Sequence, residues 1–119
     1  MLKVLLSGVL ILLLSQPLFA EDKEFSIYQG MISSAGKIPK FIIVNEREIT
    51  LAGDIKVMDS KERDATLSDL KTGKWVYIVS EHTPDGPVAK KIYIIPKHVS
   101  KRDKHNYPFM EKEEKTKHR

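Results

Sequence analysis

Residues 67–95 read LSDLKTGKWVYIVSEHTPDGPVAKKIYII, and this stretch decides the fold. Leu67 and Leu70, three positions apart, share one face of a short helical turn. Thr66 stands before it as a cap, with Asp69 placed to reach back as a weak capping pair. Gly73 follows where a left-handed residue ends the turn. Residues 74–81 then alternate Trp75, Tyr77 and Val79 against Val76, Ile78 and Ser80, which is the period of a strand. Residues 83–87, TPDGP, form a loop, because proline presets φ and glycine supplies positive φ. Residues 88–95 return as a second strand, ended by Pro96, which has no N–H to donate. Ala89 and Ile92 differ in parity, so for both to face inward a bulge must reset the alternation near Lys90 and Lys91.

Working outward, the preceding residues supply more strands. In residues 25–32, Phe25, Ile27, Gln29 and Met31 oppose Ser26, Tyr28, Gly30 and Ile32, with Gly30 allowing a bend or bulge. Residues 33–39 are a loop punctuated by Gly36 and Pro39. Residues 40–45, KFIIVN, are the most β-prone segment, and 48–51, EITL, return antiparallel through a turn at Asn45, Glu46 and Arg47. Ala52, Gly53 and Asp54 read as a further turn before a strand with Ile55, Val57 and Met58. Residues 59–65 are polar and loop-like. The sequence therefore predicts an all-β domain: a small six-stranded antiparallel barrel with one short helical turn, whose leucines plug one end.

The two ends read differently. Residues 1–20 have the three parts of a signal peptide: Lys3, an apolar run over 4–14, and Ala20 before Glu21 and Asp22. An eleven-residue run falls well short of a hydrocarbon core about 30 Å thick, so no transmembrane segment is expected after cleavage. The chain contains no cysteine, so burial alone must stabilise the domain, expected over 21–96. Residues 97–119 lack a strand or helix period, their only apolar island being Tyr107, Pro108, Phe109 and Met110, and a disordered, flexible C-terminal tail is expected. Residues 21–96 carry 11 basic and 12 acidic side chains, whereas residues 97–119 carry 8 basic and 4 acidic. The basic excess thus belongs to the tail, which disfavours nucleic acid as a partner of the domain.

Taken together, YQGMI, FIIVNEREITL, DIKVMD, LSDLKTGKWVYIV and AKKIYIIP resemble small exported bacterial domains of unknown function with an OB-like β-barrel. The resemblance covers roughly residues 27–96 and rests on turn glycines and core positions. Glu46 or Arg47 stands where those domains usually carry glycine in the hairpin turn. It implies an OB-like fold and a periplasmic or secreted location, and it brings no catalytic residue.

Chemistry is sparse. The histidines His82, His98, His105 and His118 lack convergent metal-ligand spacing, so no metal or cofactor is expected. His82, beside Glu81 and Asp85, reads as a solvated loop residue. There is no G-x-S-x-G, and no carboxylates are paired for acid–base work, so an enzyme is not expected; a small hydrolase or metal-dependent enzyme is the alternative. The remaining signal is an aromatic face, Trp75, Tyr77 and Tyr93, with Lys74, Lys90 and Lys91 around it. The ligand-binding residues it predicts are Trp75, Tyr77, Lys90, Lys91 and Tyr93, on the precedent that barrels bind oligomers through strand faces. The competing reading is that these aromatics simply cover or fill the barrel. The function expected is a non-enzymatic binding or accessory module of the cell envelope. Its partner would be an envelope polymer, an anionic surface or a protein; a structural subunit docking through its basic tail is the other alternative.

Overall fold

The computed structural model describes residues 24–117, so the expected signal peptide and its cleavage after Ala20 lie outside the described residues. Five strands form: β1 (Phe25–Ala35), β2 (Phe41–Val44), β3 (Arg47–Asp59), β4 (Trp75–Thr83) and β5 (Gly86–Ile95). They close into a barrel in the order β1-β2-β3-β5-β4, with β4 pairing back onto β1. Every neighbouring pair is antiparallel except β3 and β5, which run parallel.

Two expectations are corrected here: there are five strands, not six, and the barrel is not wholly antiparallel. The cause is β3. Its start, Arg47–Thr50, pairs with β2, whereas Thr50–Asp59 pairs with β5. The Ala52-Gly53-Asp54 segment, read as a turn, is an irregularity inside this one strand, where the register shifts between Leu51 and Lys56. A small barrel closes only if a strand bends to serve two neighbours, and a bulge supplies the bend.

Other local features follow the sequence closely. The β2–β3 hairpin turns on Asn45 and Glu46, both at positive φ (51° and 65°), as a two-residue hairpin loop with matching twist requires. The β4–β5 loop is tighter than TPDGP suggests: Thr83 already pairs with Gly86, leaving only Pro84 and Asp85 between them. On β5 the register shifts so that Val79 faces Lys91 and Ser80 faces Ala89; Lys90 is the extra residue, and both Ala89 and Ile92 are fully buried. Gly30 is required by close packing, not by a bend. It holds regular register with Val76, and a Cβ there would run into Val44 and sit 2.6 Å from Asn45 Nδ2.

The barrel interior is filled by Ile32, Ile42, Val44, Ile49, Val76, Ile78 and Ile92, all inaccessible to solvent. Leu70 closes one end and Leu67 packs beside it. The Leu67–Asp69 segment is a single 3-10 turn, pinned because Thr66 donates to Asp69 Oδ2 from its N–H (2.9 Å) and its hydroxyl (3.0 Å).

The largest departure concerns residues beyond Pro96, expected to be a disordered, flexible tail. They form a 3-10 turn, Lys101–Asn106, and a helix, α1 (Pro108–Lys117), that pack on the outside of the barrel. Val99, Phe109 and Met110 join Tyr77, Val79, Tyr93 and Ile95 in a second buried cluster. Ten residues are too few for a stable helix in water. The outer face of β4 and β5 makes up the deficit, because its aromatic rings gain a cover; fully burying Phe109 alone contributes about 1.5–3 kcal/mol. Gln29 on β1 locks the path: it accepts from Val99 N–H at 2.8 Å and donates to Val99 O at 3.0 Å.

Candidate functional site

Alternation along β4 and β5 does place Trp75, Tyr77 and Tyr93 on one outer face, as read from the sequence. That face is not open along its length. Tyr77 and Tyr93 retain 1% and 2% of their accessible surface, because α1 lies over them. Phe109 stacks on Tyr93 at 4.0 Å between ring centroids and meets Tyr77 edge-on at 5.4 Å. Edge-to-face and offset-stacked pairs such as these add to the burial itself.

Polar groups complete the seal. Tyr93 donates its hydroxyl hydrogen to Glu113 Oε2 at 2.6 Å, and Lys91 Nζ approaches the same oxygen at 2.9 Å. Glu113 is only 5% exposed, so its charge is held by these two donors. Beside it, Tyr77 donates to Glu114 Oε2 at 3.4 Å and Lys104 pairs with Glu114 Oε1 at 2.8 Å. Burial first, and then the neighbouring carboxylates, push both phenols well above the ordinary tyrosine range. Lys90, displaced by the bulge, reaches Asp54 Oδ1 at 3.2 Å. Of the five predicted binding residues, then, Tyr77, Tyr93 and Lys91 are spent on the helix and Lys90 on β3.

Trp75 is different. It is half-buried, with its ring edge-on to His98 at 6.0 Å, and it lines a groove of about 400 Å³ with Ser60, Gly73, Lys74, Ile94 and Pro96. A second hollow, about 320 Å³, adjoins it through the shared Lys74 and Ile94, and adds Asp59, Asp64, Asp69 and Lys71. Both lie where β3 and β5 end and β4 begins. Asp59 is already engaged, accepting from the N–H groups of Lys61 and Arg63 and from Arg63 Nε, and these bonds hold its carboxyl below the usual range. The Thr66 bonds do the same for Asp69. Asp64, Lys71 and Lys74 are exposed, and none of them is spent in an ion pair among the described residues.

The family models, the curated proteins and the solved structures compared with this chain give no match. The geometry alone therefore carries the functional reading.

Sequence reasoning missed two surfaces. Ile38, 75% exposed, lies in the β1–β2 loop and Phe41, 48% exposed, follows it; Ile38 lines a mostly apolar groove of about 470 Å³ with Leu51, Ile55 and Leu67. An isoleucine inside a Gly- and Pro-bearing loop was the available signal. The other is Ser26 Oγ, 3.2 Å from His82 Nε2 across β1 and β4, a pairing that strand register alone determines. Among the described residues, no three His, Cys, Asp or Glu side chains converge as metal ligands, and no helix is long and apolar enough to cross a membrane.

Proposed function

We propose that this chain is an exported, OB-like binding module of the cell envelope that takes its ligand at the Trp75 groove and performs no chemistry on it. The observation that carries the reading is selective exposure: of the three aromatics on the outer face of β4 and β5, only Trp75 still borders open space. Binding sites join an apolar wall to a few placed polar groups. Trp75 with Lys71, Lys74, Asp64 and Ser60 has that make-up, whereas the groove at Ile38 is mostly apolar and carries no carboxylate. Strand order β1-β2-β3-β5-β4 with parallel β3 and β5 supports the OB-like assignment. The signal-peptide pattern in residues 1–20 supports export.

Trp75 is the only tryptophan, so its emission reports this groove without labelling. Titrating the purified chain with solubilised envelope polymers should shift that emission saturably. An emission that no envelope fraction alters contradicts the reading.

One observation favours hydrolysis as a second reading, the 3.2 Å approach of Ser26 Oγ to His82 Nε2. The pair is solvent-facing, and His82 N–H, a potential oxyanion donor, is already given to Glu24 O at 2.9 Å. Esterase turnover abolished by Ser26→Ala would establish it. The tail-docking alternative is less favoured, because Glu113 and Glu114 tie α1 to Tyr93, Lys91 and Tyr77 of its own barrel.

A further inference from the structure

We infer that the ligand of the Trp75 groove is a neutral oligosaccharide, a class of ligand recognised by ring stacking and hydroxyl hydrogen bonds and not by charge. This rests on the binding-module reading above and deepens it. Trp75, half-buried, contributes an aromatic side chain to the groove lining, and the C–H face of a sugar packs against such a ring. The adjoining hollow carries both signs of charge: Lys71 and Lys74 as donors only, Asp64 as an acceptor only. A sugar hydroxyl both donates and accepts, so it satisfies an ammonium and a carboxylate in turn. A polyanion cannot. Its phosphates or sulfates meet the lysines but are repelled by Asp64 and Asp69 in the same lining, Asp59 being already paired with Arg63. The site thus rejects nucleic acid and anionic polymers by its acidic members, not by any lack of lysine.

The engaged residues set the geometry. Asp59 ties the loop 60–63 through Lys61 and Arg63, and Asp69 ties the 3-10 turn through Thr66. Both walls of the hollow are thereby fixed before a ligand arrives, which lowers the ordering entropy of binding. The two hollows share Lys74 and Ile94 and so adjoin, which suits a ligand of more than one sugar unit.

The test titrates the full chain, by Trp75 emission and by calorimetry, with soluble chitin oligosaccharides and malto-oligosaccharides, and separately with polyphosphate and single-stranded oligonucleotide. The expected result is saturable binding of a glycan that changes less than twofold between low and high salt. Asp64→Asn and Lys74→Ala, both at exposed positions that leave the core intact, should each weaken it about tenfold. Trp75→Phe, followed by calorimetry, should weaken it further. Steeply salt-dependent binding of a polyanion with no glycan binding overturns this inference while leaving the binding module standing. Failure of every probe to alter Trp75 overturns both.

Discussion

Tyr93 on β5 gives its hydroxyl hydrogen to Glu113 on α1 at 2.6 Å, and both residues are more than nine-tenths buried. This bond ties the C-terminal helix to the barrel, and Lys91 completes it at 2.9 Å. Removing the acceptor leaves a buried phenol without a partner. Glu113→Ala should therefore destabilise the domain by about 1–3 kcal/mol, with Glu113→Gln, which keeps one acceptor oxygen, closer to wild type. Urea denaturation measures both.

Phe109 makes a sharper prediction. It is fully buried between Tyr77 and Tyr93, so Phe109→Ala should cost about 3–5 kcal/mol and free α1. Hydrogen exchange should then show the amides of residues 110–117 unprotected while those of β1 and β4 keep their protection.

How much of this was legible from sequence depends on where the cause sits. The bulge at Lys90, the turn at Asn45 and the Leu70 plug were readable because parity, positive φ and i,i+3 spacing are local signals. The helix was not. PFMEKEEKTK has no apolar stripe, only Phe109 and Met110 at its start, and its inward-facing Glu113 looks like a surface residue until Tyr93 is placed opposite. Its stability comes from a partner face on other strands. β3 was split for a related reason: AGD is ordinary turn chemistry, and only the demand to pair with both β2 and β5 makes it a bulge. At the candidate site, the placing of Trp75, Tyr77 and Tyr93 on one face was legible, but which aromatics stay open was decided by the helix.

The pH dependence has two edges. Tyr77 and Tyr93 have folded pKa values raised above the ordinary value of about 10, so their contribution is complete below that pH. Above it the unfolded chain releases those protons first, and stability falls as pH rises. Asp59 and Asp69 run the other way: their folded values are lowered, so their contribution is present above the ordinary carboxylate range and lost as pH falls through it. Thermal melts across pH should show a plateau between these limits and a decline beyond each.

Two strained or unsatisfied positions should improve on substitution. Glu46 sits at φ 65°, so Glu46→Gly should stabilise the hairpin by about 0.5–1 kcal/mol, the left-handed penalty less the added chain entropy of glycine. Ser80 Oγ is buried without a hydrogen-bond partner, and Ser80→Ala should gain about 1 kcal/mol. Gly30→Ala should do the opposite, since its Cβ collides with Val44. Chemical denaturation of the three variants checks the signs.

Nitration of the four tyrosines in the intact chain, read by mass spectrometry, tests most directly whether the helix closes the aromatic face over Tyr77 and Tyr93. Tyr107, half-buried at the edge of the cover, should react first, with Tyr77 and Tyr93 unmodified until the domain unfolds. Modification of Tyr77 and Tyr93 at the rate of Tyr107 in the folded protein would contradict the account.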